Sequence, residues 1–569
     1  MATDSSTVDP ITLSVIQHRL SAIVEEMGEA MLRTSYSQIL NSSRDFSAAI
    51  CDNQSRLVAQ AEHIPVHIGA LPEATRAVTA FFGDSVKPGD VYLLNDPYHG
   101  GSHLPDLTAF VPVFGPPGSR WADNPLFWTV IRAHHSDIGG ATHGAYNAAA
   151  TEIWQEGIRV PPLKLYDQGE VRPDLLEMLV ANVRHPRDFR GDLSAMIGTV
   201  RVGENRLRAM LDEYGADTVF NAVEGILDGA ERQARAVFAT WADGIYEGEA
   251  ILDDDGRGND DIAIRARVTV SGSDLTIDLS ASDDEVTSFI NSSYANMRSG
   301  VAMAIAFLID PETPKNEGTF RPIEVIAREG SVVWAKPGAP VTLCTSHCAQ
   351  EIIEAIVRAL APACPDRAMA GWGRRFRIAI KGEDPRRGRP FIWHLFHARP
   401  GGGASPSGDG WPGAGEWHSA GGIKFGSVEV AEVRFPLFFE RHEFRPDSGG
   451  EGQFRGGVGA ELILHVETEG DAVANTAGDG ARHGACGLLG GADGAPHHYE
   501  LRSPNALPIV LATKDEGIPV PAGSKFVVHS GGGGGWGAPG ERDPAQTESD
   551  IENGFVTSPD DHAPNGRAS

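Results

Sequence analysis

The sequence is poor in cysteine and contains no long hydrophobic run. Its 569 residues include 5 cysteines, an odd and sparse set that excludes a disulfide-rich secreted scaffold and fits a reducing compartment. The longest apolar stretch, Val301 to Ile309, is far shorter than the roughly 18 apolar residues that a transmembrane helix needs. The N-terminus lacks the basic and apolar regions of a signal peptide. These absences predict a cytoplasmic protein with no membrane partner.

Positive charge is also scarce. Lysine and arginine number 48 against 77 aspartates and glutamates, which gives a formal net charge of −29 at pH 7. A field of this sign repels polyanions, so we expect neither nucleic acid nor an anionic membrane among the partners. The charge bears on solubility and leaves the fold undecided.

Hydrophobic spacing predicts a helix-rich N-terminal part. Apolar residues at helical spacing predict a long helix from about Pro10 to Arg33, with Asp9 as its N-cap. Further helices are predicted between about Pro173 and Gly244. The strand patterns between these helices are Asp90–Asn95, Asp106–Phe114 and Leu126–His135.

After Gly244 the sequence is rich in short strand patterns and in glycine, with few predicted helices. A hairpin is predicted between Ile262 and Leu279. The glycine runs at 401–403 and 531–535 are predicted as turns, with a phosphate-binding loop as the alternative. From Arg542 onward the chain is polar without an apolar period, which predicts a disordered tail.

The densest group of chemically active side chains lies between Asn95 and Gly140. Histidines and aspartates alternate there with glycines that allow tight turns, and this mixture suits a borderline divalent cation such as Zn, Mn or Fe. A structural hydrogen-bonded network is the alternative. The group consists of Asp96, His99, His103, Asp106, His134, His135 and Asp137.

Strand pairing brings three of these residues together. If the strands that contain Asp106 and His134 form an antiparallel hairpin in symmetric register, the two residues face each other. His103 lies in the turn that enters the first strand. Three ligand-type side chains then meet at one end of the hairpin, as an open catalytic metal site requires. A bulge that shifts the register by one residue favours His135 instead.

A segment upstream of this group contains two further histidines. His63 and His67 flank the sequence Ile-Pro-Val. They either line the site, as ligands or as partners of ligands, or belong to a buried polar strand.

Ten long motifs extend along nearly the whole chain, over residues 8–545. They are RTSYS (33–37), SSRDFSAAICD (42–52), HIPVHIGALP (63–72), NDPYHGGSHLPD (95–106), HHSDIGG (134–140), NVRHPRDFRGDL (182–193), NEGTFRPIEV (316–325), EVAEVRFP (429–436), DSGGEGQFRGGVG (447–459) and GGGGGWGAPGERDP (531–544). In this order they resemble the hydantoinase B family. That family includes the B-type subunits or domains of ATP-dependent N-methylhydantoinase, 5-oxoprolinase and caprolactamase, and related subunits of acetone and acetophenone carboxylases.

The resemblance implies a set of site residues. In the carboxylase relatives a His-x-x-Asp pair and one later histidine hold a catalytic metal, and the matching residues here are His103, Asp106 and His134. His135 and Asp137 are then the first choices for a general base. The remaining catalytic candidates are Asp96 and His99, and the candidates for lining the substrate site are Arg44, Asp45, His63 and His67.

The resemblance also implies a reaction and a partner. It indicates the B-type subunit of an ATP-dependent hydrolase that opens a hydantoin, 5-oxoproline or lactam ring. A lactam carbonyl is a poor electrophile, so a separate A-type, hydantoinase A-like subunit phosphorylates it with ATP, and the B-type subunit completes the reaction with its metal. The sequence contains no G-x-x-x-x-G-K-[ST] phosphate loop of its own.

We expect the chain to act within a hetero-oligomer. Two other functions remain open. One is a subunit of an ATP-dependent carboxylase of the acetone or acetophenone type. The other, from a different class, is a non-catalytic scaffold for the A-type subunit.

The combined patterns predict an α+β fold in three parts. Residues 1–244 form a helix-rich, metal-binding catalytic part with a mixed or antiparallel sheet. Residues 245–541 form a β-rich, glycine-rich part, and residues 542–569 form the polar tail.

Overall fold

The computed structural model describes residues 8–61, 63–424 and 427–558. Residues 559–569, the end of the predicted polar tail, lie outside the described residues, as do residues 1–7. The chain forms two compact units. The first comprises Met1–Ile251, Asp255–Cys364 and His418–Gly426, and the second comprises Leu252–Asp254, Pro365–Trp417 and Ser427–Ser569.

The first unit contains the long helices of the described chain. Its helices are α1 (Pro10–Thr34), α2 (Gln38–Asn41), α3 (Leu71–Phe82), α4 (Pro173–Ala181), α5 (Pro186–Tyr214), α6 (Ala216–Phe238), α7 (Tyr294–Leu308), α8 (Glu317–Phe320) and α9 (Cys348–Leu360). Asp9 caps α1 as predicted, because its carboxylate accepts the N–H groups of Ile11 and Thr12. Among the described helices, none combines the length and the apolar character needed to cross a bilayer.

The strands of this unit form two sheets. They are β1 (Phe46–Asp52), β2 (Leu57–Ala61), β3 (Val91–Leu94), β4 (Asp106–Phe114), β5 (Pro125–His134), β6 (Leu163–Asp167), β7 (Glu170–Val171), β8 (Gly244–Asp254), β9 (Asp260–Ser271), β10 (Asp274–Asp278) and β11 (Ile323–Ile326). Helix α6 was expected to end at Gly244, but it ends at Phe238, and Gly244 begins β8.

The larger sheet has seven strands in the order β2-β1-β5-β4-β3-β6-β7. All six neighbouring pairs are antiparallel. Helices α1 and α5 pack on one face. Helix α3 packs on the other face, where Leu71, Ala74 and Val78 contact apolar side chains of the strands. The predicted α+β class, with an antiparallel sheet beside long helices, is confirmed.

The second sheet extends the first unit beyond the boundary predicted at residue 244. Its order is β11-β10-β9-β8, and β9 and β10 form the predicted hairpin. Helix α9 packs against β9 and against α7, so residues 255–364 join the first compact unit. The sequence prediction missed α7, whose side chains are mostly buried. A helix that is apolar all round has no amphipathic period to reveal it.

The second unit is built from two further sheets. Its elements are β12 (Phe376–Asp384), β13 (Arg389–His394), α10 (Val428–Arg434), β14 (Leu437–Phe444), β15 (Ala460–Val466), β16 (Ala472–Gly478), β17 (His498–Arg502), β18 (Ile509–Val510), β19 (Lys514–Val520), β20 (Lys525–His529) and α11 (Pro544–Glu552). The strand orders are β13-β12-β16-β19 and β14-β15-β20-β17-β18. Both sheets contribute to one hydrophobic core, which includes Phe376, Trp393 and Tyr499.

Four glycine-rich segments of this unit, 401–403, 449–459, 484–494 and 531–537, form a hydrogen-bonded layer that we call the glycine bundle. Gly533 donates its N–H to the carbonyl of Gly457, and Gly534 donates to Gly371. A Cβ atom added at Gly532 would lie 1.7 Å from the carbonyl oxygen of Ser448. The prediction of turns was wrong. The phosphate-loop alternative does not fit either, because the amides of residues 532–535 donate to backbone carbonyls and that of Gly531 donates to His497 Nδ1.

The segment predicted as a disordered tail contains an ordered helix. In α11, the Asp550 carboxylate accepts hydrogen bonds from the Arg455 guanidinium at 3.0 and 3.1 Å and from Arg542 at 2.6 Å. Arg455 and Asp550 are both buried. The helix is therefore held by charged hydrogen bonds, which explains why its sequence shows no apolar period.

Candidate metal centre

The pairing of β4 with β5 forms the base of the candidate site. Asp106, at the start of β4, lies opposite His134, at the end of β5, so the predicted register is confirmed. Side chains alternate between the two faces of a sheet, so Thr108 and Arg132 share the face of this pair. Farther along the sheet, the same face packs its apolar side chains on α3. The site is thus the polar end of a buried face.

Three ligand-type side chains meet around one carboxylate oxygen. Asp106 Oδ1 lies 2.8 Å from His103 Nε2 and 3.0 Å from His134 Nδ1. The three ligand atoms all lie within 4.8 Å of one another, and all three residues are buried. The structure therefore brings together the residues that were predicted as metal ligands.

The orientation of His103 fits a cation between this residue and Asp106. His103 Nδ1 lies 2.5 Å from the carbonyl oxygen of Thr342, so Nδ1 carries the proton and donates it. Nε2 then presents a lone pair, and it makes no hydrogen bond although it lies 2.8 Å from Asp106 Oδ1. Two buried acceptors that face each other require a proton or a cation between them. Imidazole and carboxylate are suitable ligands for a divalent transition metal.

The electrostatics of the cluster favour positive charge beside Asp106. Burial opposes a charge on His103, but the neighbouring Asp106 carboxylate more than offsets this, so the pKa of His103 is raised. Burial also opposes ionisation of Asp106, yet His103 and His67 hold its pKa well below the ordinary value. An ionised carboxylate is therefore maintained where a cation would sit.

Residues distant in sequence hold the cluster in place. Glu156 accepts two backbone N–H groups at 2.9 Å, one of them from Thr342, whose carbonyl oxygen fixes His103. Burial raises the pKa of Glu156 to about 7. Ser102 Oγ donates to Asp106 Oδ2 at 2.6 Å. Such partners set the tautomer and direction of metal-binding side chains, and no motif in the sequence indicated Glu156 or Thr342.

Two of the predicted substrate-lining residues lie at the cluster. His67 Nε2 is 3.4 Å from Asp106 Oδ2 and 3.9 Å from Asp45 Oδ1. Ser47 Oγ donates to the Ile64 carbonyl at 3.0 Å and accepts from His67 Nδ1 at 3.2 Å, which leaves the His67 Nε2 lone pair facing the carboxylates. Burial lowers the pKa of His67 to about 4. This neutral histidine lies on a 3-10 helix, not on the buried strand that was the alternative.

The other two predicted lining residues, His63 and Arg44, lie beside one another and pack elsewhere. The His63 ring packs on Phe46, with centroids 4.6 Å apart, and against α1, where a Cβ added at Gly28 would lie 2.3 Å from His63 Nε2. Burial, and after it the charge of Arg44, lower the pKa of His63. Arg44 adopts the left-handed backbone region with φ of 58°. The described contacts of the His63 ring therefore lie outside the cluster.

The predicted general bases also lie away from the cluster. His135 follows the end of β5 and packs on the α5 side of the sheet, with Nε2 3.4 Å from Met196 Sδ and its ring 5.0 Å from that of Phe189. Burial lowers the pKa of His135 to about 3. The Asp137 carboxylate accepts the backbone N–H of Arg184 and its guanidinium at 2.9 Å. The His135 ring therefore packs against α5, and Asp137 ties its loop to the segment that precedes α5.

Asp96 and His99 form a separate polar group. The Asp96 carboxylate accepts from Arg159 Nε at 2.8 Å and from the Tyr98 N–H at 3.0 Å, and it lies 2.7 Å from His99 Nδ1. The side chain of His99 is about half exposed. Asp96 therefore caps and anchors the loop that leads to the candidate metal cluster.

Arg132 is the main site residue that the sequence analysis missed. It is completely buried on the cluster face of β5, and its Nε donates to Thr108 Oγ1 at 2.9 Å. Burial lowers the pKa of Arg132 to about 10, although Asp106 opposes this, so the side chain is cationic near pH 7. The sequence did contain a signal: an arginine lies two residues before the candidate ligand His134 in an otherwise apolar strand. A side chain two positions away along a strand points to the same face.

Comparison with known proteins shows which family this chain resembles. The sequence model of the family described as Hydantoinase B/oxoprolinase matches residues 9–539. The chain is 34% identical over 571 residues to caprolactamase subunit beta from Pseudomonas jessenii, covering 97% of this chain and 95% of that one. The crystal structure of the ATP-dependent caprolactamase from Pseudomonas jessenii matches with a TM-score of 0.90 and 33% identity, over 97% of this chain and 95% of that chain.

A more distant structure shares the fold. The nucleotide-free structure of acetone carboxylase matches with a TM-score of 0.86 and 19% identity, over 97% of this chain and 78% of that chain. Together with the buried cluster and the family motifs, the matches over nearly the full length settle the family. The chain belongs to the Hydantoinase B/oxoprolinase family.

Proposed function

We propose that the chain is the B-type subunit of an ATP-dependent hydrolase that opens a cyclic amide, such as a lactam, a hydantoin or 5-oxoproline. The observation that carries this proposal is the buried group of His103, Asp106 and His134 in a chain similar over its whole length to a caprolactamase subunit beta. A separate A-type subunit, proposed as the partner in a cytoplasmic hetero-oligomer, uses ATP to phosphorylate the amide oxygen.

The division of labour follows from the chemistry of the amide. Phosphorylation of the oxygen makes the ring carbon a better electrophile. One water then adds to this carbon and the C–N bond breaks, which gives an acyl phosphate and a free amine. A second water releases inorganic phosphate and leaves the carboxylate. The B-type subunit is proposed to bind the phosphorylated ring and to provide the environment for these two additions of water.

A divalent metal held by His103, Asp106 and His134 would supply Lewis-acid activation of water or of a carbonyl oxygen. The surrounding residues of the chain have their own roles. Ser102 and the Thr342 carbonyl orient Asp106 and His103. His67, whose Nε2 lone pair faces Asp106 and Asp45, is proposed as the proton acceptor in place of His135 and Asp137.

Reconstitution of the two-subunit reaction tests the proposal. This chain, its A-type partner and ATP are incubated with a lactam, and ring opening and phosphate release are measured separately. We expect ring opening only when the partner and ATP are both present. His134→Ala should abolish ring opening, whereas the control His99→Ala, at a half-exposed position outside the cluster, should retain it.

Three outcomes would replace the proposal. Ring opening by this chain without ATP and partner would indicate a self-sufficient hydrolase. Incorporation of labelled bicarbonate into a ketone by the complex would indicate a carboxylase. Unchanged ring opening in His134→Ala would leave the chain the role of a scaffold.

A further inference from the structure

Arg132 presents an unpaired positive charge beside the metal cluster. The residue lies on β5, two positions before His134, and its register partner on β4 is Thr108, two positions after Asp106. Because both steps are two residues, all four side chains lie on one face of the sheet. The guanidinium is thus held next to the cluster by regular strand geometry and not by a loop.

The outer nitrogens of this guanidinium have no partner among the described residues. Nε donates to Thr108 Oγ1 at 2.9 Å, which fixes the orientation of the guanidinium plane. Nη1 and Nη2 are buried and make no hydrogen bond. A buried charged group without partners is unfavourable, and each such case in a folded protein calls for a specific explanation.

Neighbouring groups of the chain do not satisfy these nitrogens. The charge of Asp106 acts on Arg132, but the two oxygens of Asp106 already contact His103, His134, His67 and Ser102. The thiol of Cys344 donates to the carbonyl of Ser102 at 3.3 Å, and burial keeps it protonated by raising its pKa well above the ordinary value. The outer nitrogens of Arg132 therefore remain without an acceptor among the described groups around them.

We propose that Arg132 binds a tetrahedral oxyanion beside the metal cluster, specifically the phosphoryl group of the activated substrate and the inorganic phosphate released from it. A planar guanidinium with two free nitrogens forms paired hydrogen bonds to phosphate oxygens. The identity of the anion rests on the proposed function, in which a phosphorylated ring is the substrate. Arg132 would then hold the phosphoryl group while the ring carbon faces the cluster.

Phosphate binding by the purified full-length chain tests this assignment without the partner or a lactam. Titration calorimetry and the unfolding temperature are measured with inorganic phosphate, with acetate and with chloride at equal ionic strength. We expect wild type to bind phosphate and to be stabilised by it, and Arg132→Met to bind it at least about tenfold more weakly. Arg120→Met, which removes the same charge from an exposed position, should bind phosphate like wild type.

A second variant and a second measurement separate binding from folding. Arg132→Lys keeps the charge but loses the paired geometry, so its phosphate affinity should lie between those of wild type and Arg132→Met. Without phosphate, Arg132→Met should unfold at a temperature no lower than that of wild type, because the charge it removes has no partner on its outer nitrogens.

Several results would overturn the assignment. These are equal phosphate affinity in wild type and Arg132→Met, no phosphate binding by wild type, or Arg132-dependent binding of acetate alone. Destabilisation of Arg132→Met with no phosphate effect on wild type would indicate a structural, water-bonded arginine. If phosphate binding depends on Arg132 but the two-subunit complex opens no ring, the proposed function fails and the anion site stands.

Discussion

At Asp106, a single carboxylate is contacted by three histidines and one serine hydroxyl. Its Oδ1 lies between His103 and His134, and its Oδ2 accepts from Ser102 and faces His67. A side chain with this many fixed neighbours has no freedom to rotate away, so a bound cation would find its ligands already arranged. The negative charge of this residue would offset the charge of such a cation.

Replacing Asp106 by asparagine should remove the metal. Asp106→Asn keeps the shape of the side chain but loses the negative charge that offsets the cation. We expect wild type to contain about one divalent metal per chain and the variant to contain almost none, as measured by elemental analysis. His99→Ala is the matched control and should keep its metal. Full occupancy in Asp106→Asn would place the metal elsewhere in the chain.

His497, in the second unit, should contribute to acid sensitivity. Its Nδ1 accepts the N–H of Gly531 and its Nε2 donates to the carbonyl of Arg374, an arrangement that needs the neutral ring. Burial lowers its pKa from 6.5 to about 4. Below about pH 6.5 the unfolded chain therefore binds a proton at this histidine, whereas the folded chain does not. This contribution to stability is complete above pH 6.5 and is lost as the pH falls towards 4.

Comparison of pH profiles isolates this contribution. Between about pH 6.5 and 4, the free energy of unfolding should fall further in wild type than in His497→Gln, because glutamine does not titrate. The difference in this fall should be on the order of 3 kcal/mol. Urea unfolding at several pH values measures the difference. Parallel profiles for the two proteins would contradict the prediction.

The clustering of the three candidate ligands was predictable, and the residues around them were not. Asp106 faces His134 because the two strands form the symmetric hairpin that was assumed for the strand patterns. The two neighbouring histidines, His134 and His135, looked equivalent in sequence, but the sheet has two faces and one of them is covered by α5. Glu156 reaches the site only through the chain fold, which no local pattern encodes.

Among the elements, helix α1 was predicted well and the glycine bundle was not. Helix α1 begins at Pro10 as expected, because its cap and apolar period are local signals. The glycine bundle depends on contacts between four separate segments, such as that of Gly401 with Gly457, where an added Cβ would lie 1.8 Å from a carbonyl oxygen. Glycine in sequence reads as a turn signal, whereas here it permits close approach of one backbone to another.

A pair of glycine substitutions distinguishes these two uses. Gly532→Ala should destabilise the second unit by about 3 kcal/mol or more, because the new Cβ collides with a backbone carbonyl that cannot move without its neighbours. Gly198→Ala, in α5 where an added Cβ meets nothing within 4 Å, should instead stabilise by about 0.5–1 kcal/mol. Thermal unfolding of both variants is the measurement. Similar behaviour of the two would contradict the packing argument.

For the molecule as a whole, the excess of acidic residues predicts a stabilising effect of salt. A net charge of −29 makes the folded chain repel itself. Raising NaCl from about 0.1 M to about 1 M shortens the screening length from about 10 Å to about 3 Å, so the unfolding temperature should rise. KCl at the same ionic strength should give the same rise if screening is the cause. A fall in unfolding temperature would mean that surface ion pairs outweigh the net repulsion.

The glycine bundle also affects how the sequence can vary. Glycine codons begin with two guanines, and every single-base change that alters the amino acid introduces a side chain with at least a Cβ atom or stops the chain. At Gly532, Gly533 and Gly534, such an atom would lie within 2.0 Å of a backbone oxygen. A mutational scan should therefore find these positions as intolerant as a catalytic residue. Invariance there among related sequences would report backbone packing and would say nothing about the reaction.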